Sequence, residues 1–186
     1  MDLTAGQELP LETAKITLGI GWDKERTAGA MGTGAPDIDL DATVVQFAGD
    51  QLFDLAFYNN LATRDGSVVH LGDNLTGAGE GDDEQITVDL GRVHGPVDTI
   101  VLMVSSYHGH TLEWVNRAYC RISDAAEHEL ARFRITGGVP QTGLVLATLK
   151  RAGSDPGSGW VMRAVGEGVA ITVPTQGLAK LRPFLK

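Results

Sequence analysis

The sequence predicts an all-β fold, a two-sheet antiparallel β-sandwich with one or two short helices. Short runs of β-branched and aromatic residues recur along the chain, and Gly, Asp, Asn and Pro separate them. Residues 86–90 alternate apolar with polar side chains, which is typical of a half-buried strand. Residues 99–104 are continuously apolar, which favours a strand covered on both faces. Strands of both kinds are expected where two sheets pack together.

The individual elements follow from the same patterns. Helix is expected only at residues 112–117 and 178–185, and both segments are short. The chain of 186 residues has no internal repeat and no linker, which indicates a single domain, residues 1–186. Strands are expected at 16–20, at 40–47 and 52–58 around the turn 48–50, and at 86–90, 99–104, 118–122, 130–136, 144–149 and 160–165.

Composition and charge narrow the classes of function and the compartment. The formal net charge of −9 argues against nucleic-acid binding, because such surfaces depend on Lys and Arg. No apolar run approaches the ~18 residues of a membrane helix, and residues 1–10 do not have the pattern of a signal peptide. The lone Cys120 lies in an alternating run and is expected to be a free core thiol. The expected location is the cytoplasm.

Residues 72–84 form the most unusual stretch, with five carboxylates among four glycines. Crowded carboxylates repel one another, while glycine lets the chain fold back so that oxygens converge on one point. A hard divalent cation would relieve this repulsion, and calcium takes roughly six to eight oxygen ligands in flexible geometry. The candidate ligands in this stretch are Asp73, Asn74, Glu80, Asp82, Asp83 and Glu84.

A second acidic group comprises Asp37, Asp39 and Asp41 and leads into the strand predicted at 40–47. The spacing of two residues would place all three carboxylates on one edge or face. Asp23 follows the strand at 16–20 and could join either group. The sequence therefore allows two adjacent calcium ions.

An EF-hand loop and a phosphate-binding loop both fit the acidic stretch poorly. Asp73 and Glu84 have the end-to-end spacing of an EF-hand loop, but Ala78 stands where that loop needs glycine. A phosphate-binding loop would need a nearby lysine, which this stretch lacks. A solvated acidic turn stays open as the alternative. His70 is expected to hydrogen-bond and orient the loop and not to bind the cation.

Signals for catalysis are weak. His108 and His110 have no convincing third ligand for a transition metal. The chain has neither a GxSxG motif nor a cysteine paired with a base in sequence. The carboxylates resemble a cage more than a pair separated across a cleft, although sequence does not fix that distance. We therefore expect a protein that is not an enzyme.

Several segments together resemble the TerD family of tellurium-resistance and stress-response proteins, and the match spans nearly the whole chain. The resemblance implies a cytoplasmic bacterial β-sandwich that binds calcium and is linked to tellurite and stress resistance. The segments that carry it are residues 19–23, 39–41, 60–61, 67–84, 115–122, 129–132 and 166–168. The ligand candidates that it carries over are Asp23, Asp39, Asp41, Asp73, Asn74, Glu80, Asp82, Asp83 and Glu84.

The expected function is a calcium-dependent binding or scaffold module within a stress-response assembly. The partners implied by the resemblance are calcium, other stress-response proteins and a membrane-proximal complex, without nucleic acid. The alternative is a metal-dependent hydrolase or a receptor for a small anionic ligand, in which the bound ion holds the anion. An ion enclosed by protein oxygens would favour the first hypothesis, and an ion with open positions facing a cleft would favour the second.

Overall fold

The computed structural model describes residues 4–22, 39–72, 81–115, 118–135, 138–155 and 157–186. These residues form two antiparallel sheets, which confirms the predicted fold class. The strands are β1 (Glu8–Leu11), β2 (Lys15–Gly21), β3 (Leu40–Ala48), β4 (Gln51–Ala56), β5 (Val68–His70), β6 (Glu84–Asp89), β7 (Thr99–Ser106), β8 (Ala118–Asp124), β9 (Glu129–Ile135), β10 (Gly143–Arg151) and β11 (Trp160–Val169).

The larger sheet has the strand order β1-β11-β10-β7-β3-β4, and the smaller sheet has the order β5-β6-β2-β8-β9. Their facing sides form the main core, to which Leu18, Ile86 and Leu102 contribute fully buried side chains. Cys120 also lies in this core, so the expectation of a buried free thiol is confirmed for its burial.

The two sheets differ in how they treat their outer faces. Every residue of β7 is buried, because a second apolar cluster covers the outer face of the larger sheet. That cluster includes Val101 and Met103 of β7 and Leu181 of the segment Leu178–Leu185. In β6 of the smaller sheet, buried and half-buried residues alternate. The continuous and the alternating sequence patterns therefore correspond to the two sheets as expected.

Some elements differ from the prediction. The edge strands β1 and β5 were not predicted, since they are only four and three residues long. The strand expected at 52–58 ends at Ala56, because Phe57 and Asn60 exchange backbone hydrogen bonds of 3.0 and 2.9 Å in a tight turn. The expected helices appear as the 3-10 segments Leu112–Trp114 and Leu178–Leu185. Among the described residues, no helix is long and apolar enough to span a membrane.

The strand directions give the sandwich two ends of different character. The acidic end is where β2 stops and β3 and β6 start, and its described acidic residues are Asp39, Asp41, Asp82, Asp83 and Glu84. The far end is where β3 turns into β4 and β7 starts, and its acidic residues include Asp65, Asp98 and Asp124.

Candidate functional site

The predicted ligands fall into two sets. Asp23, Asp73, Asn74 and Glu80 lie outside the described residues. The other five predicted ligands lie at the acidic end, next to the points where the described chain stops and resumes. Their contacts determine how the two acidic stretches of the sequence are brought together.

Asp83 joins the segment before β6 to the end of β2. Its backbone N–H donates to the carbonyl oxygen of Ile20 at 2.7 Å. Its side-chain Oδ2 accepts a hydrogen bond from the backbone N–H of Trp22 at 2.9 Å. These two contacts fix the end of the 72–84 stretch beside the end of β2.

Glu84 links the two sheets. It is the first residue of β6 and is 1% exposed. Its Oε2 accepts a hydrogen bond from the backbone N–H of Ala42 on β3 at 2.9 Å and lies 3.6 Å from Nε2 of His70. A buried carboxylate needs such donors to offset the loss of water. This contact brings Glu84 to the β3 backbone directly after Asp41, the last residue of the second acidic group.

His70 supports the start of the acidic stretch. Its side chain, like that of Glu84, is fully buried. The backbone N–H of Gly72 donates to Nδ1 of His70 at 3.2 Å, so Nδ1 is an acceptor and the ring proton belongs on Nε2, towards Glu84. This arrangement agrees with the expected role of His70 as a residue that orients the loop.

Asp39 and Asp41 bring the second acidic group to the same end. Asp41 lies on β3 opposite Ser105 of β7 and is 1% exposed. The carbonyl oxygen of Asp39 accepts a hydrogen bond from the backbone N–H of Tyr107 at 3.0 Å. Burial of a carboxylate such as that of Asp41 is costly unless it is paired or hydrogen-bonded. Two strongly buried carboxylates therefore lie at the acidic end, Glu84 on the core side of the larger sheet and Asp41 on the β3 face that alternates with Leu40 and Ala42.

Asp82 lies in different surroundings, on the outer face of the smaller sheet. Its Oδ1 and Oδ2 lie 2.8 and 2.9 Å from Nε of Arg121, which donates to the carboxylate. The hydroxyl of Tyr119 donates to Oδ1 at 3.1 Å, and Nε2 of Gln85 donates to Oδ2 at 3.1 Å. The hydrogen bond to Asp82 raises the pKa of the Arg121 guanidinium. No pattern in the sequence marked Arg121 as part of the site.

The described residues supply only part of a metal shell. Among them, no group of three or more His, Cys, Asp or Glu side chains is arranged to hold a metal ion. The donors at the acidic end are carboxylate oxygens, which are the ligands that calcium prefers. This donor set fits a hard cation, and completing the shell would require candidates outside the described residues. The rings of His108 and His110 are 6.4 Å apart between centroids, at the same end of the sandwich.

Comparisons with known proteins agree on one family. A family model described as the TerD domain matches residues 1–181. The stress response protein SCP2 of Bacillus subtilis (strain 168) is 35% identical over 182 residues, which cover 90% of this chain and 88% of that protein. The tellurium resistance protein TerZ of Serratia marcescens is 36% identical over 157 residues, covering 82% of this chain and 79% of that protein.

Solved structures show the same fold. A crystal structure of a homologue of the telluride resistance protein TerD from Streptomyces coelicolor A3(2) superimposes with a TM-score of 0.71 at 17% identity. The match covers 86% of this chain and 92% of that chain. A second crystal structure, of a protein of unknown function, gives a TM-score of 0.74 at 21% identity and covers 88% and 94% of the two chains.

Proposed function

Since the chain belongs to the TerD domain family, we propose that it is a calcium-binding, stress-response protein of the tellurium-resistance type that acts as a binding or scaffold module. The observation that carries this proposal is the pair of contacts made by neighbouring acidic residues. Asp83 binds the backbone of Trp22, and Glu84 binds the backbone of Ala42. These contacts bring the ends of both acidic stretches to one place in the fold.

The carboxylate groups at the acidic end suit calcium better than magnesium. Calcium takes roughly six to eight oxygen ligands and tolerates irregular geometry, whereas magnesium requires a near-ideal octahedron. Carboxylates contributed by separate strands and by glycine-rich sequence can meet the first requirement more readily than the second. The ion would neutralise the mutual repulsion of these groups. Up to two ions would share the candidates Asp23, Asp39, Asp41, Asp73, Asn74, Glu80, Asp83 and Glu84.

The role as a module and not an enzyme rests on where these carboxylates lie. Glu84 and Asp41 are almost fully buried, and such burial favours holding an ion within the fold over acting on a substrate in an open cleft. An ion held in this way would stiffen the loops at the acidic end and present them to a partner in the bacterial cytoplasm. The relatives named for stress response and tellurium resistance indicate the kind of assembly in which we expect it to act.

Isothermal titration calorimetry of chelator-treated protein tests the proposal directly. We expect saturable binding of calcium and much weaker binding of magnesium at the same concentrations. Asp83→Asn should weaken calcium binding, while Asp65→Asn at the far end serves as a control that removes the same charge. Absence of saturable calcium binding by the wild-type protein would refute the proposal. Calcium-dependent hydrolysis of a phosphate or carboxylate ester would instead favour the enzyme alternative.

A further inference from the structure

We propose that Asp82 is a positioning residue and not a calcium ligand. Its ion pair with Arg121 anchors the end of the acidic stretch to the outer face of the smaller sheet, and this anchor sets the calcium affinity. The inference rests on the proposed function, since it concerns how the same site is held ready for the ion.

Both oxygens of Asp82 are already used by donors from the sheet. Each oxygen lies within 2.9 Å of Nε of Arg121, and Tyr119 and Gln85 donate one further hydrogen bond each. The Asp82 side chain is only 2% exposed. A cation at these oxygens would also approach the guanidinium of Arg121, and the two positive charges would repel each other. Asp82 therefore has a partner that competes with calcium.

Strand β2, against which Asp82 lies, leaves room for the Asp82 side chain. A Cβ atom on Gly19 of β2 would lie 2.0 Å from Oδ2 and 2.4 Å from Cγ of Asp82, which is too close for both to remain in place. A Cβ atom on Gly21 would similarly lie 2.7 Å from the ring of Tyr119. These two glycines leave a trough on the outer face, in which Asp82 and Tyr119 lie against the backbone.

The pairing is also selective among the basic residues of this face. Arg132 of β9 donates from Nε to Oε2 of Glu129 at 2.9 Å, and its guanidinium lies 4.5 Å from the centroid of the Tyr119 ring. Arg132 is therefore held by its own carboxylate. Arg121 is the cation that contacts Asp82, at 2.8 Å.

The anchor acts on the site through the chain that follows it. Asp83 and Glu84 come directly after Asp82, and their carboxylates reach the backbone at Trp22 and Ala42. Fixing Asp82 limits the freedom of this segment before an ion binds. Removal of partners that orient metal ligands typically costs roughly 10–100-fold in metal affinity, and we expect an effect of that size here.

Two variants test the anchor without changing the net charge. Gly19→Ala places a methyl group where Asp82 lies, and Arg121→Lys keeps the positive charge but loses the guanidinium contact. We expect both to weaken calcium binding roughly 10–100-fold in titration calorimetry. The control is Arg134→Gln, which removes an exposed charge on the same sheet next to Tyr119 in the register. Because it lowers the local positive charge without touching the pair, it should not weaken binding.

The outcomes distinguish a positioning role for Asp82 from a ligand role and from a purely structural one. If Asp82 is a ligand that Arg121 restrains, loosening the pair frees its oxygens, and Arg121→Lys binds calcium as tightly as wild type or more tightly. If the pair only stabilises the fold, both variants melt earlier without calcium but keep the wild-type Kd. Either result overturns the inference while leaving the proposed function intact. If the wild-type protein binds no calcium, both fail. Should Gly19→Ala not fold by circular dichroism, Arg121→Lys decides.

Discussion

The two ends of the sandwich use carboxylates in different ways. At the far end, Asp65 accepts hydrogen bonds from the backbone N–H groups of Ser67 and His94, both at 3.0 Å. Asp124 accepts from the backbone N–H groups of Ala126 and His128, at 2.8 and 2.9 Å. Each of these carboxylates shapes a turn with donors from the loops around it, as aspartate commonly does.

At the acidic end, the carboxylates bind donors from separate strands and are close to one another in sequence. Asp83 and Glu84 reach across to β2 and β3, and the neighbouring Asp82 is paired with Arg121 of β8. An acidic residue with its own local donors therefore stabilises a turn without further help. Acidic residues at the acidic end depend on donors from separate strands, and under the proposed function a cation would also offset their mutual repulsion.

The largest expected effect is a calcium-dependent change in melting temperature, which only a substitution at the acidic end should produce. A ligand that binds only the folded state at a hundredfold excess over Kd stabilises it by about 2.7 kcal/mol, which corresponds to roughly 5–10 °C for a chain of this size. In saturating calcium, Asp83→Asn should therefore melt up to about that much below wild type. Without calcium the two should melt much closer together, because Asn retains an acceptor for the N–H of Trp22. Melting followed by circular dichroism measures both conditions.

A smaller effect is expected from the matched substitution at the far end. In Asp65→Asn the new side-chain amide can keep one acceptor, but its NH₂ group then faces the backbone N–H of His94. The loss of one charge-assisted hydrogen bond should destabilise the fold by about 1–2 kcal/mol. The same loss is expected with calcium and with chelator. If the loss of stability in Asp65→Asn depended on calcium, the far end would respond to the ion as the acidic end is expected to do.

The pH dependence of the far end provides a third check. Burial acts to raise the pKa of Asp65, but hydrogen bonds from Ser67, His94 and Thr63 outweigh it, so its pKa lies below the ordinary value of 3.8. Its stabilising contribution should be complete above that ordinary pKa and be lost as the pH falls through the lowered, folded-state pKa. Urea unfolding should therefore show the gap between wild type and Asp65→Asn shrinking below about pH 4. If the difference in stability between wild type and Asp65→Asn instead widens on acidification, the pKa of Asp65 is not lowered in the folded state.

The smallest effect concerns Cys120, which faces the core opposite Ile20 near the acidic end. Burial, together with the negative charge of Asp82, raises the pKa of this thiol, so native protein should react slowly with a thiol reagent and form no disulfide dimer. Calcium should slow labelling further if reaction requires that end to open. Rapid labelling at neutral pH, unchanged by calcium, would show that the acidic end opens independently of the ion.

The sequence predicted the central strands well because their side chains fill the core. Residues 99–104 were recognisable as doubly covered because no polar residue follows Thr99 in this run, and the structure confirms this for β7. The edge strands β1 and β5 gave no clear pattern, since β1 contains an exposed Pro10 and β5 is only three residues long, although two of those three are buried. Pattern strength thus depended on the length of each strand as well as on its burial.

The acidic residues were identifiable as a group from their crowding among glycines, but their separate roles were not. Asp82 and Asp83 are adjacent and chemically identical, yet one binds the side chain of Arg121 and the other the backbone of Trp22. These partners lie 39 and 61 positions away in the chain, so only the fold brings them together. Gly19 was a signal of the Asp82 contact that the sequence did contain, because a glycine within a strand often marks a place where another group approaches the backbone closely.

The most direct test of the calcium proposal is the melting temperature of the wild-type protein in calcium, in magnesium and in chelator. The proposal predicts that saturating calcium raises it by roughly 5–10 °C over chelator, with a smaller effect of magnesium at the same concentration. A solvated acidic turn predicts no specific effect of calcium. Superimposable melting curves in calcium and in chelator would contradict the claim that the carboxylates at the acidic end are gathered for a cation.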